Sequence, residues 1–439
     1  MFERALSAVF LIAAMSWSAF GQEAPKASML PPVESRPAQI ALPTKQPSAY
    51  LPNDEFCRNC LPCCDPCGPE GRLWVRGEFL LTWMRGARSP ALVTSSPSGT
   101  SQAQAGVVTA TGTQILYGDE RINTGVASGF QLRVGGWFDR CQTIGLEGGL
   151  LYRGGQSQNE IFGSDSGGIV SRPYFNAATG QADAQLVSFP GVLDGSVSVN
   201  ADLGRLLGLD LSARIRLCCF GDRDPCQDGN ARTPNSYSRL DLLVGYRHYD
   251  FSDRIRIDEN LTPTSGLFVD GTNIRVQDYF AADNRFDGAS LALDYEWSQR
   301  KWFVNGLVRV SVGNSSRRVQ IDGHTTTSVP GDTTITQVGG LLAQTSNIGS
   351  YGQSPIVVIP ELELKVGYWI TPRFRVFGGY NVMIWPQVAR AAEQIDPNVN
   401  ENLIPGSTGA VTGTLRPSYN DVTSTLWVQG FTFGAEFRW

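Results

Sequence analysis

The sequence predicts an all-β chain, an antiparallel transmembrane β-barrel of about ten strands, with twelve or more left open by further β-like stretches inside its loops. Three observations carry this reading. Segment after segment alternates apolar and charged side chains with a period of two, the mark of a strand with two unlike faces. The connections between these segments alternate long and short. No run of 18 apolar residues occurs, so membrane-spanning helices are excluded.

Taken in order, residues 1–21 set Arg4 before an apolar stretch, Ala5 to Ala14, and end on Ala19-Phe20-Gly21, the pattern of a secretory signal peptide. Residues 22–56 are rich in proline, from Pro25 to Pro52, and poor in large apolar residues, which predicts an extended linker. Residues 57–71 form a Cys-rich periplasmic segment with Cys57, Cys60, Cys63, Cys64 and Cys67. Gaps of two residues suit thiolate metal sites. The export signal implies an oxidising compartment and no His lies nearby, so disulfides are the preferred reading. Cys141, Cys218, Cys219 and Cys226 bring the total to nine, which leaves at least one unpaired or paired between chains.

Residues 72–439 supply the barrel. The strand at 72–83 sets Val75, Phe79 and Leu81 against Arg76 and Glu78. At 126–138, Phe130, Leu132 and Val134 oppose Gln131 and Arg133; at 143–153, Leu146 and Leu150 oppose Glu147 and Arg153. Leu207, Leu209 and Leu211 oppose Asp210, Arg214 and Arg216 within 204–217, and Leu240, Leu242 and Val244 oppose Arg239, Asp241 and Arg247 within 238–257. At 285–298, Leu291, Leu293 and Tyr295 oppose Asp294 and Glu296. At 301–313, Val304, Val308 and Val310 oppose Asn305 and Arg309. The last three strands, 358–370, 373–385 and 424–439, set Leu362 and Leu364 against Glu361, Glu363 and Lys365, Val376 and Tyr380 against Arg373 and Arg375, and Phe431 and Phe433 against Thr432 and Glu436.

Between these boundaries the connections run 42, 4, 50, 20, 27, 2, 44, 2 and 38 residues. A soluble sandwich has no reason to alternate in this way. An outer-membrane barrel does, with short periplasmic turns, long external loops, an apolar outer band and a polar interior. With both termini in the periplasm, every cysteine falls on the periplasmic side.

Several stretches also resemble a known family: Gly136-Trp137-Phe138-Asp139 with Cys141, Asn284-Arg285-Phe286-Asp287-Gly288-Ala289 running into Leu291 to Trp297, and Val310-Ser311-Val312-Gly313-Asn314. Over about residues 72–439 the chain is similar to the β-barrel porin-7-like proteins known mainly from planctomycete bacteria. The resemblance implies an outer-membrane barrel and brings no established substrate or catalytic residue.

Chemistry is sparse. Lys and Arg number 36 against 41 Asp and Glu, a net charge of −5, which gives no basic footprint for nucleic acid. The two histidines, His248 and His324, are too few for most metal or His-dependent sites, and no cofactor is expected. Ser164-Asp165-Ser166-Gly167-Gly168 resembles a serine-protease nucleophile surround, but no His precedes Ser166. His248 with Asp250 at a barrel rim could activate water; its parity instead puts His248 on the lipid-facing side.

The candidate lumen lining is Arg133, Glu147, Asp210, Arg214, Arg216, Asp241, Arg247, Asp294, Glu296, Arg309, Glu361, Glu363, Lys365, Arg373, Arg375 and Glu436. In a narrow barrel such pairs fill the lumen; in a wider one they orient solutes. The expected function is a passive porin for small polar solutes or ions, and not an enzyme. The alternative is a structural or adhesive surface protein whose closed barrel anchors long external loops. Outer-membrane lipid is the expected surrounding, with a homo-oligomer left open.

Overall fold

The computed structural model describes residues 68–439 apart from 123–124, 164–167, 222–235 and 267. The signal peptide, the linker, Cys57 to Cys67, Cys226 and Ser164 to Gly167 lie outside the described residues.

Ten antiparallel strands close into a ring: β1 (Leu73–Met84), β2 (Val126–Trp137), β3 (Ile144–Arg153), β4 (Leu193–Gly221), β5 (Ser236–Pro263), β6 (Asn273–Gln299), β7 (Trp302–Ser328), β8 (Ile356–Thr371), β9 (Phe374–Val388) and β10 (Ser424–Arg438). Each pairs with the next in sequence. Closure comes from β1 with β10, where Val75 meets Phe437 and Leu81 meets Phe431. The strand count of ten holds. The stretch Ser196 to Leu203 adds no eleventh crossing, because it is the upper part of β4.

The outer surface of the ring is apolar. Leu291, Val308 and Phe433 are each 54% exposed, while Glu147, Arg375 and Glu436 at opposite parity are 1% exposed. This inverts a soluble protein and matches a lipid-facing band. Aromatic contacts edge it at two heights. Trp302 meets Tyr368 and Phe437 meets Trp439 near the chain termini, while Phe130 meets Tyr152 and Trp83 meets Phe431 toward the other end.

Four strands outrun the rest. β4 to β7 are 29, 28, 27 and 27 residues long, against 10 to 16 for the others. Their upper halves reverse the pattern. On β5 the outward residues change from Leu240, Leu242 and Val244 to Asp250, Arg254 and Arg256, and the inward ones from Arg239 and Asp241 to Phe251, Ile255 and Ile257. β6 changes at Asp287 and β7 at Asn314. β4 makes the same exchange through a bulge. Its register shifts between Asp202 and Arg205, and Gly204 takes φ +80°, a conformation L side chains rarely adopt. There the Gly204 N–H donates to Asp253 Oδ1 at 2.7 Å, and Arg390 pairs with the same carboxylate.

Above this collar the tall strands form a wall, extended at its edges by Gln156–Gly163 on β4 and by Ile335–Val338 and Gly349–Gln353 on β7. A second sheet lies against it, running 181–188, 169–176, 93–96 and 114–117, with Asn398–Val399 added in parallel. Val93, Val170 and Val187 of this sheet join Val197, Ile257, Phe280 and Ile321 of the wall in one apolar core. Arg172 is fully buried between the layers, 2.5 Å from Glu259 and 2.7 Å from Asp278. The far lobe is thus a water-type sandwich standing on a membrane-type barrel.

Candidate functional site

The bore of the barrel is the first candidate, since it holds the residues that sequence reasoning placed there. Arg133 lies 3.3 Å from Glu147 and 2.6 Å from Glu363. Arg214 reaches Glu147, Asp241 and Asp294 at 3.0, 2.8 and 2.7 Å. Arg247 joins Asp210 at 2.6 Å to Glu361 at 2.8 Å, and Arg309 stands 3.7 Å from Glu361. Lys365 bridges Glu78 at 2.7 Å and Glu363 at 2.9 Å. Arg375 links Glu296 at 2.8 Å with Glu436 at 2.9 Å, and Glu436 also receives Arg76 and Arg438. Arg133 with Glu363, Arg214 with Asp294, Arg247 with Glu361, Lys365 with Glu78 and Arg375 with Glu296 join strands that are not neighbours in the ring, and the other pairs join adjacent strands or lie on one strand. Their spread follows from parity: each strand turns its charged face inward, and ten such faces meet within reach of one another.

One candidate falls elsewhere. Arg373 is exposed in the Pro372–Arg373 turn, outside the bore. Nor do Glu361 and Glu363 meet Arg373 and Arg375, because hairpin register sets Glu361 opposite Met383 and Glu363 opposite Asn381. Those carboxylates lie too far up the strand to reach the turn. Arg216 is only half-buried. Among the described residues Cys218 carries a free thiol, while Cys141 and Cys219 are both engaged.

Sequence reasoning missed what lies above the charges. Met84, Tyr249, Phe251, Phe286, Ile359, Met383, Trp385 and Leu426 all point inward and pack into one buried layer across the bore. Trp385 is fully buried and meets Tyr249, Phe251 and Phe286 at centroid distances of 5.8, 6.5 and 6.2 Å. The signal was available. On β5, Tyr249 and Phe251 follow Arg247 at the same parity, and on β8, Val357 and Ile359 precede Glu361. Toward the termini the bore is closed again by stacked rings, with Arg239 over Trp137 at 4.3 Å and Arg375 over Phe303 at 4.3 Å. Cavities left in the bore measure about 20 and 40 Å³, room for a few waters.

The histidines do not assemble chemistry. His248 Nδ1 lies 2.8 Å from Asp287 Oδ1, not from Asp250, and Tyr246 donates its hydroxyl to the same carboxylate on the outward face. Asp250 faces Arg285 at 3.8 Å. His324 sits on the outward parity of the upper β7. Among the described residues no cluster of three or more His, Cys, Asp or Glu is placed to hold a metal.

A second candidate lies in the far lobe. A cleft of about 670 Å³ opens between the segments 88–121, 173–182 and 392–424. These belong to three separate loop excursions, so the cleft exists only in the assembled lobe.

Residues 74–439 match the family described as "Putative beta barrel porin-7". The chain belongs to this family. Family and inside-out barrel together make it an outer-membrane protein. No curated protein matches it. Among solved structures it is similar to the outer membrane protease OmpT from Escherichia coli, with 11% identity, a TM-score of 0.36, and coverage of 86% of this chain and 100% of that one. It is also similar to the Pseudomonas putida toluene transporter TodX, with 9% identity, a TM-score of 0.19 and coverage of 84% and 89%. A Pseudomonas aeruginosa FadL homologue gives 8%, 0.19, 84% and 90%. At these scores none of them bears on ligand or activity.

Proposed function

We propose that this protein is a closed outer-membrane barrel that anchors a folded lobe outside the cell. The observation that carries the reading is the layer around Trp385, which fills the bore with packed apolar side chains directly above the ion network. A hydrated ion meeting that layer loses its water with nothing to replace it. Below it, the paired charges hold one another around cavities of about 20 and 40 Å³. The apolar band contacts membrane lipid.

Orientation follows from the same asymmetry. The described connections at the terminal end are tight turns, while those at the other end build the lobe, so both termini belong in the periplasm and the lobe outside. Cys141, in the turn after β2, and Cys219, near the end of β4, stand on that side, and the sequence assigns the Cys-rich segment to the periplasm as well. Disulfides between them would staple the periplasmic mouth.

The family description favours the other reading, a passive channel for small polar solutes or ions. Single-channel recording in a planar bilayer separates the two. The wild-type barrel is expected to insert without conductance steps, and Trp385→Gly with Tyr249→Gly to produce them. Steady ohmic conductance in the wild type would overturn the anchor reading.

A further inference from the structure

The geometry points to the far-lobe cleft as a binding site for a small organic acid with an apolar body. Its volume, about 670 Å³, falls in the range of small-molecule sites, roughly 300–1,000 Å³. The walls are apolar, with Val108, Pro173, Phe175, Ala182, Pro397 and Val422 facing it. Phe175 is 43% and Val422 42% exposed, although the lobe around them buries its aliphatic residues in a common core. Apolar surface left open beside a packed core has found no partner among the described residues.

The cleft also carries an unusual pair of charges. Ala87–Arg88 and Arg121–Ile122 form a short two-stranded ladder, and its register places Arg88 directly opposite Arg121. Like charges so placed weaken a ladder. Both arginines are exposed and both line the cleft. Arg121 Nη1 donates to the Gly86 carbonyl at 2.9 Å, and neither guanidinium pairs with a carboxylate among the described residues. In the bore, by contrast, arginines at this density are interleaved with acids. Two guanidinium forks side by side make a seat for one carboxylate, which would accept from both and relieve their repulsion.

The cleft also sets a limit on the ligand. Glu393 lines it and accepts from the Arg88 backbone N–H at 3.3 Å through Oε1, while Oε2 is buried without a hydrogen bond. Asp119 stands on the rim. A second acidic group on the ligand would meet these carboxylates, so monoacids are preferred over diacids. The inference rests on the proposed function only in taking the lobe to face the medium.

The test uses the full chain in lipid nanodiscs, with empty discs as reference, and titrates 4-phenylbutyrate, 4-phenylbutanol and 4-phenylbutylamine by calorimetry. The acid is expected to bind at least tenfold more tightly than either analogue. Arg88→Gln with Arg121→Gln should bring the acid down to the alcohol, whereas Phe175→Ala should weaken acid and alcohol alike. Should the double variant fail to fold, Arg88→Gln alone serves, since that guanidinium bonds nothing among the described residues. Absence of heat beyond empty discs, an amine that binds as well as the acid, or an acid indifferent to the arginine changes would each overturn the assignment. Conductance in the wild type would overturn the anchor reading instead, and the two results are independent.

Discussion

The lower and upper halves of β5, β6 and β7 are the same strands in two solvents. In the lower half Leu242, Leu291 and Val308 face outward and Asp241, Asp294 and Arg309 face the bore. In the upper half Arg256, Gln277 and Gln320 face outward and Ile257, Phe280 and Ile321 face the core. Backbone pairing runs through the change without a break, from Leu242 opposite Leu293 to Ile257 opposite Asp278. Strand formation is therefore indifferent to which face is apolar. What differs is the medium outside, lipid below and water above, and each half places its apolar face where that medium or the core accepts it.

The comparison breaks first at Glu436. Glu436→Gln leaves Arg76, Arg375 and Arg438 sharing an uncharged acceptor, and removal of one member of a buried ion cluster costs about 3–5 kcal/mol. Urea unfolding in lipid vesicles, followed by tryptophan fluorescence, is expected to show a loss of this size. A loss at Glu436 far below that would mean that the bore charges are solvated.

A smaller and more pointed contrast uses one substitution at two heights. Leu291→Arg, on the outward face of the lower β6, is expected to cost about 2–4 kcal/mol in the same assay, as for arginine near a bilayer midplane. Gln320→Arg, outward on the upper β7, should stay within about 0.5 kcal/mol of wild type. Equal costs would erase the boundary at Asn314.

The smallest effect concerns acid. Burial opposes ionisation of Asp396, but hydrogen bonds from the Ser418 N–H at 2.9 Å, Asn398 and Arg416 outweigh it, so its carboxyl lies below the ordinary 3.8. A lowered folded-state value means stability that is present above about pH 4 and lost as pH falls through the depressed one. Pepsin should cut the 389–423 segment faster at pH 2 than at pH 4, relative to an unfolded substrate, and Asp396→Asn should flatten the difference. Bore residues, shielded by the Trp385 layer, should contribute no cuts over that interval.

The contrast also explains which parts of the fold were legible in sequence. All ten crossings were, because period-two alternation with a greasy outward face is the signal a barrel strand emits. The strands expected at 285–298 and 301–313 extend in the structure to Asn273–Gln299 and Trp302–Ser328. The expected boundaries fall where the polarity reverses, at Asp287 and Asn314. Past those residues alternation continues with the faces exchanged, and it reads as loop to anyone following the lipid face. The bore residues were legible from parity alone; their partners were not, because Arg133 with Glu363 or Arg375 with Glu296 depends on how the sheet curls. Arg373, given an inward place by parity, lies in the turn just before β9 begins at Phe374, where parity no longer applies. The cleft gave no sequence signal, since its arginines meet only through a two-residue ladder between strands 33 residues apart.

The far lobe has one further property, which concerns how it comes to exist. Its core draws on Ala87, Val170, Ile257, Ile321 and Val399, residues scattered over most of the chain and held together by strands whose ring closes only when β1 finds β10. No contiguous stretch of the polypeptide encodes it. Contacts of such high sequence separation form late and slowly, so the lobe is the last part to acquire its shape and cannot be cut out as a module. Barrel closure is in this sense the folding catalyst of the surface it displays.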